Sequence, residues 1–175
     1  TNNFSSLVEN GYHKPATLTI NGGTFTPGLN AVKNDNGTVT IKDGTFLGGG
    51  ADAEQKSVLN WDTLEIYGGT FKNVVQTWAW TDSTTGEGSH ATTNIHNGIF
   101  NGGVVAETYH GVEAPAPVVN ITGGTFTGTV SGNKAEINVS AGTFSSAISA
   151  TESKVTVSGS FDGEVSTDGN STIKV

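Results

Sequence analysis

The chain has 175 residues, with 25 Gly, only 4 Pro and no Cys. That length suits one domain, and the lack of Cys excludes disulfides and thiolate metal sites within it. Its formal net charge is −8, its pI is about 4.7 and all 8 basic residues are Lys. Nucleic acid, acidic membrane surfaces and polyanionic sugars are therefore poor partners, since nothing offers a forked cationic clamp, and a neutral ligand fits better.

In chain order, residues 1–16 carry Phe4, Leu7, Val8 and Tyr12 without any repeating pattern. They are expected to form a cap or an irregular first coil, because a stack of repeats must cover its open end. From residue 17 a unit recurs: Leu18 to Phe25 (LTINGGTF), Val39 to Phe46 (VTIKDGTF), Leu64 to Phe71 (LEIYGGTF), Thr93 to Phe100 (TNIHNGIF), Val119 to Phe126 (VNITGGTF), Ile137 to Phe144 (INVSAGTF) and the shorter Val155 to Phe161 (VTVSGSF). Alternation of apolar and polar residues gives a strand with one apolar face. Gly supplies the turn conformations that other residues avoid, and Phe returns the chain to the apolar side. Successive Phe residues lie 21, 25, 29, 26, 18 and 17 positions apart, the spacing of stacked repeats that cover one another's apolar faces. The predicted fold is all-β: one right-handed parallel β-helix of about seven to eight coils, residues 17–175, with the Phe residues as an interior ladder. The hand follows from the general preference for right-handed crossovers. Residues 171–175 (STIKV) read as one more strand.

After each Phe comes a second apolar patch, such as Ala31 and Val32, Val58 and Leu59, or Val74 and Val75, which predicts a further wall. Residues 47–63, 72–93 and 101–118 are enlarged between these walls, and insertions at one point of a repeat emerge on one side, often the binding side. All three Trp fall there, as do Tyr109, His90 and His110. If residues 74–80 (VVQTWAW) form a strand, Val75, Thr77 and Ala79 take the interior. Gln76, Trp78 and Trp80 then point outward, since an interior Gln76 would leave its amide unsatisfied. Laying residues 57–61 (SVLNW) over 74–78 (VVQTW) puts Trp61 about 4.8 Å from Trp78. The Phe100 coil likewise sets Glu107 opposite Trp78 and Tyr109 opposite Trp80. The candidate ligand site is thus an aromatic floor of Trp61, Trp78, Trp80 and Tyr109 flanked by Gln76, Asp82, Glu107 and His110. Aromatic faces with polar groups at the rim suit sugar rings, which have apolar C–H faces and hydroxyl edges. The competing reading makes these aromatics a satellite core under the inserted loops.

Other chemistry is poorly supported. His96 occupies an outward position equivalent to Asn21, Lys42 and Tyr67, while His90 and His110 have no metal-ligand spacing toward Asp82 or Glu107. No cofactor is expected. A structural calcium on loop carboxylates is the one ion that suits the composition, although Asp43, Asp52 and Asp62 show no ligand-loop pattern. Catalysis is not expected, because Arg is missing, carboxylates are scattered and no nucleophile has a positioned base. Thr24, Thr45, Thr70, Thr125 and Thr143 make an outward ladder broken by Ile99 and Ser160, which argues for cross-strand pairing rather than ice binding.

GGTF-type repeats such as TINGGTF and NITGGTF, spread over residues 18–161, resemble β-helical, polysaccharide-associated surface proteins of gut bacteria. With the acidity, the absent catalytic sets and Trp61, Trp78 and Trp80, the chain is similar to the parallel β-helix carbohydrate-binding modules of family 89. That resemblance implies xylan or a related hemicellulose as ligand, secretion, and a catalytic glycosidase domain elsewhere in the parent protein. A monomer is expected, without nucleic-acid or membrane partners. The alternative is a bacterial adhesin or stalk segment contacting host glycan or protein.

Overall fold

The computed structural model describes residues 6–26, 29–47, 55–81, 84–85, 87–109, 113–159, 161 and 163–175. The chain is a parallel β-helix. Its short strands assemble three parallel sheets of 8, 8 and 6 strands, here called A, B and C, and each full coil contributes one strand to each. Sheet B holds the apolar–polar–apolar strands of the repeat, from Ala16–Ile20 to Thr172–Lys174. Sheet C holds the Thr–Phe pairs from Thr24–Phe25 to Thr143–Phe144. Sheet A is the second apolar patch, and begins with Val8–Asn10, so the regular structure already starts inside the segment expected as a cap.

Registers are in step from coil to coil. In sheet B, Val39, Leu64, Thr93, Val119, Ile137 and Val155 stack inward, as do Ile41, Ile66, Ile95, Ile121, Val139 and Val157. In sheet A the inward column is Val32, Val58, Val75, Val104, Val130 and Ile148. The Phe column closes the core. From Phe25 through Phe46, Phe71, Phe100 and Phe126 to Phe144, neighbouring rings lie 4.8, 4.9, 4.9, 4.7 and 4.6 Å apart and within 8° of parallel. Phe161 ends the column turned by 60°. Phe46, Phe71, Phe100 and Phe126 are fully buried.

The Gly two positions before the Phe is required by shape. Gly98 has φ +133°, and a Cβ there would sit 3.1 Å from Cε2 of the Phe100 ring. A side chain at that point would strain the backbone and crowd the ring, which would have to give by a few tenths of an ångström.

A buried ladder at the corner between sheets A and B was not read from the sequence. Asn10, Asn34 and Asn60 occupy the same register, two positions after Val8, Val32 and Val58. Asn10 Nδ2 donates to Asn34 Oδ1 (2.9 Å), and Asn34 Nδ2 to Asn60 Oδ1 (2.8 Å). Asn60 Nδ2 donates to Thr93 Oγ1, whose hydroxyl meets Thr77 Oγ1 at 2.6 Å. The same amides bond the carbonyls of the turning chain: Ala16, Gly37, Thr63 and Thr92. Each Asn thus replaces the backbone partners that a sharp corner removes.

The enlargements enter at two corners, not one. Residues 47–55, of which 48–54 lie outside the described set, separate the strand Thr45–Phe46 of sheet C from Lys56–Asn60 of sheet A. Residues 80–91 and 109–117 instead separate sheet A from sheet B. The latter two follow directly on the strands that carry Trp78 and Glu107.

Candidate functional site

The corner from sheet A to sheet B changes height along the stack. In the coils of Asn34 and Asn60 it is compact, two residues long at 35–36 and 61–62. In the next coil Thr77 replaces Asn at the ladder position, and the chain runs on through Trp78, Ala79 and Trp80. A bridge between Thr81 and Gly88 then folds it back. Trp80 N–H donates to Ser89 Oγ (3.0 Å) and Ser89 N–H to the Trp80 carbonyl (2.9 Å), which pins Trp80 at the loop base. The result is a step: low corners carrying Asp35, Asn36, Trp61 and Asp62 face a raised wall of Trp80, Glu87 and Gly88.

That step holds a cleft of about 360 Å³, lined also by Ser89 and His90. An adjoining, mostly apolar cleft of about 270 Å³ is lined by Asp35, Trp61, Trp80 and Tyr109. Trp80 is 37% exposed, whereas Trp61, Trp78 and Tyr109 are half-buried against one another. The Trp61 and Trp78 centroids lie 5.2 Å apart at 58°, and Tyr109 meets Trp61 at 5.1 Å and Trp78 at 5.0 Å, both edge-on. These three form a wedge of tilted and edge-on rings rather than a flat platform, a favourable aromatic arrangement. Within the wedge, Trp78 Nε1 donates to Glu107 Oε1 at 2.8 Å.

The strand register pairs Trp78 with Glu107 and sets Trp61 after Asn60, opposite Trp78. Val75, Thr77 and Ala79 face inward and are fully buried. Gln76 shares the outer face with Leu59 and Val105, yet is only 2% exposed. Its amide is satisfied by Glu107 Oε1 at 3.2 Å, so Gln76 and Glu107 act on each other and on Trp78 rather than presenting an open rim. Asp82 and His110 lie outside the described residues. Among the described residues no group of three His, Asp or Glu side chains is placed to hold a metal ion, and no helix is long and apolar enough to cross a membrane.

Asp62 is committed to the fold: Oδ2 accepts from Gly37 N–H (2.7 Å) and Oδ1 from the Thr63 hydroxyl (3.1 Å). Asp35 was not anticipated. It follows Asn34 as Trp61 follows Asn60. Its Oδ1 pairs with Lys33 Nζ at 2.9 Å, and Lys33 also reaches Glu9 Oε1 at 3.0 Å. Burial, and then the neighbouring Glu9 carboxyl, push the Asp35 carboxyl above its ordinary range, while Glu9 is held below its own by the Asp35 carboxyl beside it and by Lys33. Asp35 Oδ2 and Trp61 Nε1 are buried and have no hydrogen-bond partner. The sequence signal for this pair was the repeated Val-x-Asn-x of coils two and three, which places both residues at one corner.

A second surface carries an aromatic pair: Tyr67 and His96 stack at 4.4 Å and 13°, with His96 Nε2 3.0 Å from Glu65 Oε2. Their flat faces cover each other, which makes the surface less suited to sugar stacking than the cleft. No protein-family model matches the chain, and comparison with curated proteins and with solved structures returns no match.

Proposed function

We propose that the chain is a non-catalytic carbohydrate-binding module that holds a neutral plant polysaccharide, foremost xylan, in the cleft at the step between its compact and raised corners. The observation that carries this reading is Trp80, exposed in a cleft that it lines together with Trp61 and Tyr109. An exposed indole beside other aromatics is costly in water, and sugar C–H surface covers it at about 25 cal/mol per Å². Polar groups at the margin, with Asp35, Asp62 and Glu87 among them, favour hydroxyls and disfavour uronic-acid carboxylates. A xylose backbone can lie close to aromatic rings because it lacks the exocyclic hydroxymethyl group. The repeat's similarity to family 89 modules supports the same ligand, an extracellular setting and a glycosidase domain in the parent protein.

Titration of the protein with soluble xylan tests the proposal. Trp80→Ala is expected to weaken binding by about tenfold or more, some 1.4 kcal/mol, with little change in the thermal unfolding midpoint. Incubation with xylan, pectin or mixed-linkage glucan is expected to release no reducing ends or unsaturated products. Undiminished binding by a folded Trp80→Ala variant would move the site elsewhere, and turnover that survives repurification would end the non-catalytic reading.

A further inference from the structure

We infer that Trp61 Nε1 and Asp35 Oδ2 form a donor–acceptor pair that grips a single hydroxyl of the bound sugar at the base of the cleft. This rests on the reading of the cleft as a sugar site and names the group that selects its ligand.

Two buried polar atoms without partners, on residues that line both adjoining clefts, are the starting observation. Buried polar groups in folded proteins are almost always paired, because an unpaired one forfeits its hydration without return. Other polar groups beside the pair are engaged by the fold. Both oxygens of Asp62 accept from the fold, and Glu107 Oε1 takes Trp78 and Gln76. Among the buried polar atoms of this corner, one N–H donor and one carboxylate acceptor are left open.

Their placement is fixed by the fold. Asn34 and Asn60 are paired in register, so Asp35 and Trp61, the next residue in each coil, sit one strand spacing apart, about 4.8 Å along the axis. Asp35 N–H donates to the Asn10 carbonyl and Trp61 N–H to the Asn34 carbonyl, each at 2.9 Å. Lys33 holds Asp35 Oδ1 and so leaves Oδ2 as the free oxygen. The buried Asn ladder stiffens the corner beneath both residues. Binding therefore requires little ordering of the protein.

The chemistry of the two atoms selects the partner. Indole N–H only donates and a carboxylate only accepts, so one group that satisfies both must accept and donate at once. A hydroxyl does this. An ammonium cannot accept, and a carboxylate cannot donate and would face Asp35 with like charge. The aromatic walls from Trp80 and Tyr109 place that hydroxyl on a ring with an apolar face. A pyranose meets every condition. A bound water meets the polar ones alone, and the test separates the two.

The test uses the whole chain, β-1,4-xylohexaose and a set of analogues each lacking one hydroxyl at an internal residue. Asp35→Asn and Trp61→Phe remove the acceptor and the donor while keeping shape and an aromatic face. Asp35→Asn is the more conservative and guards against a Trp61→Phe variant that fails to fold. Trp61→Phe, which removes a neutral donor, is expected to weaken xylohexaose binding about three- to tenfold, and Asp35→Asn about ten- to a hundredfold, the range for a hydrogen bond to a charged group. One deoxy analogue should lose the larger factor on the natural protein and bind the double variant no worse than xylohexaose does. If both variants bind within twofold of the natural protein while Trp80→Ala loses affinity, the pair holds only water, and the inference falls while the cleft remains the site. If Trp80→Ala also binds normally, or the natural protein binds no neutral oligosaccharide, the cleft reading falls and this inference with it.

Discussion

The coils between Phe126 and Phe161 and those between Phe25 and Phe100 share the same three walls, yet differ at one corner. In the first group the passage from sheet A to sheet B takes two residues, at 134–135 and 152–153. It is made by Lys134 and Glu152 in the left-handed region, with φ of 53° and 48°. Their side chains are exposed and approach no closer than 3.9 Å. In the second group the equally short corners at 35–36 and 61–62 rest on buried Asn, carry Asp35 and Trp61, and abut the raised loop of residues 80–91. A short corner beside a long one creates a concave step, and an aromatic at that step gives it an apolar wall. The lesson is that the helix supplies a uniform scaffold, while the difference in height between neighbouring corners makes the cleft.

The largest expected effect breaks what the two regions share. Phe71→Ala, near the raised loop, and Phe126→Ala, beside the compact coils, should each cost about 3–5 kcal/mol in denaturant unfolding, because both rings are fully buried in one stack. Similar losses would mark the core as indifferent to the loops. A Phe71→Ala loss under 1 kcal/mol would mean that the enlarged coils do not depend on the ladder.

Next comes the support of the compact aromatic corner. Asn34→Ala deprives Asn10 of an acceptor and leaves Asn60 Oδ1 and the Gly37 and Thr63 carbonyls short of a donor. The expected cost is about 2–4 kcal/mol, accompanied by weaker xylan binding, since Asp35 and Trp61 flank the ladder. Stability lost with binding per folded molecule intact would separate the ladder from the site.

Trp78 and Trp80 sharpen the comparison between wall and wedge. Trp78 is packed against Trp61 and Tyr109 and bonded to Glu107. Trp78→Ala should therefore cost about 1–3 kcal/mol of stability, whereas Trp80→Ala should spare stability and impair binding. Thermal midpoints of the two variants, measured beside xylan titrations, decide it. Equal midpoints would return Trp78 to the open face.

This contrast shows where sequence reasoning stops. Alternation assigned Val75, Thr77 and Ala79 to the interior, and Phe spacing gave the coil register, because side-chain direction in a strand is a local property. The cover over an outward residue is not local. Gln76 is hidden and bonded by Glu107 from the next coil, and Trp78 is tilted under Tyr109, so two residues with the outward signature are not open rim. Asn10, Asn34 and Asn60 carry no local signal of burial, and their ladder emerges only when three coils are superposed. Asp35 was passed over for the same reason: its importance lies in being beside Trp61 and in an oxygen that the fold leaves unpaired.

The smallest effect concerns acid. Glu136, paired in register with Lys154, joins two compact coils at 2.9 Å, and its carboxyl is held below the ordinary range by the hydrogen bond from Lys154. A depressed carboxylate contributes stability that is present above its unfolded pKa and lost as pH falls through its folded one. The loss therefore begins near pH 4.5, the ordinary Glu value, and continues below it. At the aromatic corner the signs oppose. Glu9 is lowered and behaves likewise, but Asp35 is raised, chiefly by burial, and gains stability on protonation. The two partly cancel, leaving the compact end with the clearer acid dependence. Because Glu136 and Lys154 are well exposed to solvent, the pair is worth about half a kcal/mol at most. Lys154→Gln should reduce the fall in urea midpoint between pH 6 and pH 3 by that small amount, and Lys33→Gln should alter the same curve through both Glu9 and Asp35. An unchanged Lys154→Gln curve would place the acid sensitivity outside this pair and leave the aromatic corner as the pH-responsive end of the molecule.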